Sequence, residues 1–363
     1  MVKSKTYLYF LLLLLSLGLG YAWHRRSQHL NTAEPHSDRI SPAKAADILP
    51  FYEVLIPLPQ HLTSKEWLQY ADSLYPGKMD FYLSRILNLS EPQAFHFFKS
   101  PYLDSLHSDV LSFWQGPSPE VLKVREQLGS LLHRYREWRP EESPPELVGM
   151  MGLFGYQVAL AEEGIWIGLD MFMKPDYRYY PGVDGLHTYL RRRTYPHFLP
   201  PALGQALAED LAASFSAVRE GAAGKQNRLL DLMLEQGKIL TVSGSLLPEL
   251  HDSLRLGYTQ TQWEWIRAHQ EEVWRKWISL DLLYSEDPMV RQRYLGDGPC
   301  TNEFGPDSPP ALGKYFGYQI MRSWLKKLPQ KSRKIPSLKT VLRAEWDADK
   351  VLRESGYRGR EEG

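Results

Sequence analysis

Apolar positions along the chain follow three different patterns. The first is an unbroken run from Tyr7 to Tyr21, with leucines at every position from Leu11 to Leu15, preceded by Lys3 and Lys5 and followed by His24, Arg25 and Arg26. Such a run after initial lysines is an export signal, shorter than the roughly 20 residues of a bilayer span. Gly20-Tyr21-Ala22 offers a small-x-small cleavage pattern. Cleavage after Ala22 and retention as an anchor both fit residues 1–22. Residues 23–48 mix charge with Ser, Pro and His, show no apolar period, and read as a tether.

The second pattern has period two. Tyr52 to Leu58 is short and β-branched and carries Pro57, which predicts an edge strand. Tyr156–Leu160 and Ile165–Leu169 flank Ala161-Glu162-Glu163-Gly164, the arrangement of a β-hairpin. The third pattern has the helical period. It predicts two short helices between Ser64 and Leu89, broken at Tyr75-Pro76-Gly77, and a longer one over Pro119 to Trp138 with Val121, Leu122, Val124, Leu128, Leu131, Leu132 and Tyr135 on its stripe. Beyond Pro196 it predicts helices over 202–219, 228–243, 259–284, 308–327 and 337–355. Trp263, Ile266, Val273, Trp274, Trp277, Leu280 and Tyr284 mark one buried face of the third of these. Ser308 with Pro309 reads as the capped start of the fourth, and Gly313 and Gly317 would let another element approach it closely. The expected class is therefore α+β: a small, mostly antiparallel sheet, then an α-rich C-terminal half, with 49–357 as one domain and 358–363 as a tail.

Composition narrows the function classes. Forty-three basic and 43 acidic residues cancel, which argues against a nucleic-acid binder. The single cysteine, Cys300, excludes an internal disulfide and a cysteine-based zinc cluster. No two of the eleven histidines are four apart, as a helical zinc site requires, which leaves only distant pairs such as His187 and His197. Val242-Ser243-Gly244-Ser245 lacks the first glycine of a nucleophile elbow and fits helix capping, and no phosphate loop is present. Glu163 and Asp170 would serve as a hydrolytic carboxylate pair only if a cleft set them close; solvation of a turn and a strand end is the plainer reading. Asn88-Leu89-Ser90 has the form of a glycosylation acceptor. Lys326, Lys327, Lys331, Arg333 and Lys334 form a basic run that reads as a solvated linker, with attraction to anionic head groups as the sharper alternative.

A series of short phrases carries a resemblance. Ile167-Gly168-Leu169-Asp170-Met171-Phe172 is followed by Asp176-Tyr177, by Tyr179-Tyr180-Pro181 and by Tyr189-Leu190-Arg191-Arg192. Gly237-Lys238-Ile239-Leu240, Leu256-Gly257-Tyr258-Thr259, Gln262-Trp263 and Leu283-Tyr284-Ser285 come next. Gly298-Pro299 with Thr301, Ser308-Pro309 with Leu312-Gly313, and Asp347-Ala348 with Lys350-Val351-Leu352 complete the set. In this order and spacing, over residues 150–357, the chain resembles the gliding-motility lipoprotein GldB family of the Bacteroidota. The resemblance implies a cell-envelope protein that supports gliding motility or the linked protein-export machinery through contacts with other envelope proteins. It implies no catalytic residue, cofactor or metal ion.

Two departures matter. The family carries a lipobox cysteine at the end of the signal, whereas Cys300 lies far downstream. Membrane attachment of this chain would then rest on residues 11–22 or on partners. The family also resembles, at a distance, zinc peptidases in which a glutamate-glycine pair on a late helix supplies a ligand; here that position is Gln236, and helix 202–219 holds no histidine. The resemblance thus implies a zincin-like scaffold without its metal. The competing readings are a hydrolase with a cleft beneath the Tyr156–Met173 hairpin, and a peptide- or glycan-binding module built on the chain's many Trp and Tyr. Asp170 is expected to bond backbone N–H groups where the chain leaves the sheet.

Overall fold

The computed structural model describes residues 44–55, 62–143, 145–217, 227–329, 338–339, 342 and 347–360. The expected signal, most of the tether, residues 56–58 of the expected first strand, and Lys331, Arg333 and Lys334 lie outside them.

Four strands form one sheet in the order β1-β2-β4-β3: β1 (Ile48–Leu49), β2 (Leu147–Met150), β3 (Val158–Ala161) and β4 (Gly164–Gly168). The hairpin β3–β4 is antiparallel, as its local turn requires, with Val158 opposite Ile167 and Ala161 opposite Gly164. The sheet as a whole is mixed rather than mostly antiparallel, because β1 with β2 and β2 with β4 run parallel. Parallel partners need a long crossover, and the one between β1 and β2 takes in five helices, so no local signal announces it. The α+β class stands, but helices also fill the part of the chain before β2.

Those helices are α1 (Ser64–Leu74), α2 (Lys78–Phe81), which runs into a π-helical turn at Tyr82–Leu87, α3 (Glu91–Phe98), α4 (Pro101–Gln115) and α5 (Pro119–Trp138). α5 has the bounds its stripe predicts, with Ser118 accepting from the Val121 N–H and Pro119 at the first helical position. Leu122 departs from the expected stripe: it is 54% exposed, one position off the buried Val121-Val124-Leu128-Leu131 line. The expected strand at Tyr52 is a 3₁₀ turn, Phe51–Val54. Phe51 and Tyr52 are both buried, and strand alternation would have sent them to opposite faces. Phe51 instead packs edge-on against Trp166 of β4, at 5.0 Å between ring centroids.

After the sheet come α6 (Thr188–Arg191), α7 (Leu199–Ala217), α8 (Leu229–Leu246), α9 (Asp252–Leu256), α10 (Gln260–Ser279), α11 (Pro288–Leu295), α12 (Leu312–Lys327) and α13 (Ala348–Ser355). α10 stops five residues before its expected end: Asp281 takes φ 52° and Leu282–Tyr284 form a separate 3₁₀ turn, leaving Leu280 56% exposed. Ser308 does not cap α12. Ala311, at φ 51°, precedes its first turn, while the buried Ser308 hydroxyl accepts from Thr301 N–H and meets the Thr301 and Gly305 carbonyls. The close approach expected of Gly313 and Gly317 is present. A Cβ on Gly317 would lie 1.8 Å from the Met233 carbonyl oxygen, and one on Gly237 would lie 2.3 Å from that of Gly317, so α8 and α12 cross with backbones in contact. That crossing supports one wall of the cleft described next.

Candidate functional site at the sheet edge

Two clusters of polar groups flank the hairpin, the first buried and the second partly open to solvent. The first follows β4, where Leu169–Phe172 form a 3₁₀ turn and Asp170 is fully buried. Its Oδ1 accepts from Gly152 N–H at 2.8 Å and its Oδ2 from Phe154 N–H at 2.7 Å. Between and at these donors, Leu153 and Phe154 take φ 49° and 64°, a region costing about 1 to 2 kcal/mol for residues of this kind. The carboxylate thus holds the loop joining β2 to β3 in a conformation it would otherwise leave. Tyr180 Oη donates to the Asp170 carbonyl at 2.9 Å and accepts from Met173 N–H at 3.1 Å. Trp114 Nε1 donates to the Leu169 carbonyl, and Tyr82 Oη to that of Met151. Burial pushes the Asp170 carboxyl up to about 6, against the opposing pull of the two N–H bonds. Asp170 is therefore a brace for backbone, as its place in the sequence predicts. Glu163, in the hairpin turn, sits at the other end of β4, about 20 Å away along an extended strand. The two carboxylates are not brought together.

The second cluster lines a cleft of about 300 Å³ beside β3. Gln157 and Val158 line it from the hairpin, and Ala202, Gln205 and Glu209, at helical spacing, line it from α7. Gln205 Nε2 donates to Glu209 Oε1 at 3.0 Å. Opposite them, Arg193 holds Asp297 through both guanidinium NH₂ groups at 2.9 and 3.0 Å. Burial works to raise the Asp297 carboxyl, yet Arg193's bonds and charge, with Lys314 and Arg192 nearby, hold it below the usual carboxylate range. Gly257 makes room for this pair: it sits at φ 68°, and a Cβ there would lie 2.6 Å from Arg193 Nε. Arg255 is buried and donates to the Leu247 and Leu250 carbonyls at 3.0 Å each. It also shares Asp252 with Arg322. Tyr258 is buried in the same wall; its hydroxyl has no hydrogen-bond partner among the described residues, and burial raises its pKa.

The family-motif positions divide by location. Gly168, Asp170 and Tyr180 form the brace, and Tyr258 lines the cleft. Gly237 lies at the α8–α12 crossing, and the adjacent Lys238 is buried with its Nζ 3.8 Å from Glu235. Thr259 and Gln262 form the capping box of α10; Gln262 also donates to the Pro299 carbonyl, next to Gly298. Trp263 packs edge-on against His251 and Tyr315, and Tyr284 lies under the Arg228 guanidinium. Ser308 and Gly313 do packing work near α12. Sequence reasoning missed Arg193, Gln205, Glu209, Arg255, Asp297 and Lys314. Only the four-residue spacing of Gln205 and Glu209 left a local signal; the others come from separate elements. His187 and His197 do not meet: the first stacks on Tyr189 and the second lies 4.0 Å from Glu120. No group of three or more His, Cys, Asp or Glu able to hold a metal ion occurs among the described residues.

The fold and cleft define an α+β protein whose small mixed sheet ends in an open hairpin strand over a polar groove. The family model of the gliding motility protein GldB matches residues 37–359, and the chain belongs to that family. Membership ties it to gliding motility, in a family whose name marks a lipoprotein of the cell envelope. No curated protein and no solved structure matches the chain. No helix among the described residues is long and apolar enough to cross a membrane.

Proposed function

We propose that the protein works at the cell envelope as a non-catalytic component of gliding motility or of the linked export machinery, acting by contact with other envelope proteins. The observation that carries this reading is how the cleft's polar groups are used. Arg193 is spent on Asp297, Arg255 on backbone carbonyls, and Gln205 on Glu209, so these groups stabilise a shaped surface instead of converging on a reacting atom. The scaffold supports a zincin-like ancestry in one respect: a helix, α7, runs beneath the hairpin strand, with Gln205 and Glu209 four apart facing the cleft.

The test is complementation of a deletion strain. Deletion should impair surface spreading or adhesin export and leave growth on any one peptide or glycan unchanged. Glu209→Gln should restore spreading to wild-type levels, since a contact surface keeps its shape when one exposed carboxylate becomes an amide. A folded Glu209→Gln protein that fails to complement, or a deletion with only a nutritional defect, would move the reading to a hydrolase.

A further inference from the structure

β3 ends the sheet, and among the described residues it pairs with β4 alone. The register decides which of its backbone groups are used. Ala161 faces Gly164 across a two-residue turn, and the Gly168 N–H donates to the Gln157 carbonyl at 3.0 Å. Residues 157, 159 and 161 therefore exchange bonds with β4, and Val158 and Leu160 turn their N–H and C=O to the open side. A row of such groups binds an added strand unless charge, proline or a covering element blunts it. β3 reads Val-Ala-Leu-Ala, with neither charge nor proline; α7 packs against it, leaving Val158, Ala159 and Ala161 half-buried and Leu160 37% exposed.

The cleft beside this edge carries an excess of positive charge. Asp297 answers Arg193 while Arg192 and Lys314 stand close enough to pull on its titration. Asp252 pairs with both Arg255 and Arg322. Lys314 has no carboxylate within ion-pair distance among the described residues and lines the cleft. Glu209, exposed and bonded to Gln205, is the other acidic group of the lining besides Asp297.

We infer that an extended, acidic segment of a partner protein adds to the open side of β3, with its backbone on Val158 and Leu160 and an acidic side chain directed into the cleft toward Lys314. This rests on the contact role proposed above and names how the contact is made.

The probe is a short synthetic peptide alternating threonine and glutamate, fluorescently labelled and titrated by anisotropy against the full chain, with its threonine-lysine counterpart as control. The acidic peptide should bind at least about tenfold more tightly than the basic one, and its affinity should fall as salt is raised. Methylating the peptide's backbone nitrogens should abolish binding without touching the protein. Val158→Pro removes an outward N–H that β4 does not use, so it should weaken binding while the hairpin persists. Lys314→Glu should weaken the acidic peptide and favour the basic one. Equal binding of both peptides, or indifference to backbone methylation, overturns the inference. If the peptides fail to bind and a folded Val158→Pro protein still restores spreading, the strand-addition mode is wrong while the contact role survives. A deletion with no motility or export defect removes the contact role itself.

Discussion

Asp170 and Asp297 are both carboxylates set beside the same hairpin, and they are displaced in opposite directions. Asp170 is fully buried, has no cation against it and is held by two backbone N–H groups; desolvation dominates and its carboxyl rises to about 6. Asp297 faces the cleft with 44% of its side chain exposed, holds Arg193 in a fork, and titrates below the usual range. The first fixes backbone and the second shapes a surface. What separates them is the depth of burial together with the partner: complete burial of Asp170 outweighs its N–H bonds, whereas Arg193 outweighs the partial burial of Asp297.

The largest expected effect comes from deleting the brace. Asp170→Ala leaves the Gly152 and Phe154 N–H groups without acceptors beside two left-handed residues, and should lower stability by about 3 kcal/mol, read as a fall in the urea midpoint. Asp170→Asn keeps one acceptor and should lose about 1 kcal/mol, visible as a smaller drop in Tm. An Asn variant that melts like wild type yet fails to complement would give Asp170 a working role instead of a structural one.

The pH profile sharpens the comparison. Asp170's native carboxyl titrates near 6 against an ordinary 3.8, so the folded state binds the extra proton between those values. Its contribution to stability is fully present below 3.8 and is lost as pH rises through about 6. Asp297 behaves in the reverse sense: its contribution is present above the ordinary carboxylate value and is lost as pH falls through its lowered one. Denaturation midpoints measured from pH 4 to 7 should therefore decline less steeply in Asp170→Asn than in wild type. An unchanged slope would show that burial does not control this carboxyl.

The smallest effect is expected at Asp297. Its pair with Arg193 is partly solvated, so Asp297→Asn should cost less than about 1 kcal/mol, and less again in high salt. A loss as large as that of Asp170→Ala would erase the distinction between brace and surface.

Much of this arrangement was legible along the chain. The hairpin could be read because Glu162-Glu163 and the flanking runs lie within one local stretch, and α5 because Ser118, Pro119 and a regular stripe agree. Asp170's backbone bonds could be read because a short carboxylate at a strand end has few other partners in reach. α10 and α12 differ from the sequence pattern at their ends, where Asp281 and Ala311 enter left-handed conformations that nothing in their residue types requires. The cleft was invisible because Arg193, Glu209, Arg255 and Asp297 come from separate segments, and each alone is an ordinary surface residue type.

The sequence by itself determined what local physics can enforce: helix stripes, the Ser118 cap, a hairpin between two adjacent apolar runs, Gly313 and Gly317 open to a close neighbour, and the order of phrases that marks the family. Only the tertiary structure decided that β1, β2 and β4 run parallel, that Phe51 and Tyr52 plug the core instead of pairing, and that β3 stands at the edge beside a cleft lined by paired charges. Those outcomes depend on contacts between residues far apart in the chain, where closure of long crossovers and burial of whole faces outweigh any preference written at a single position.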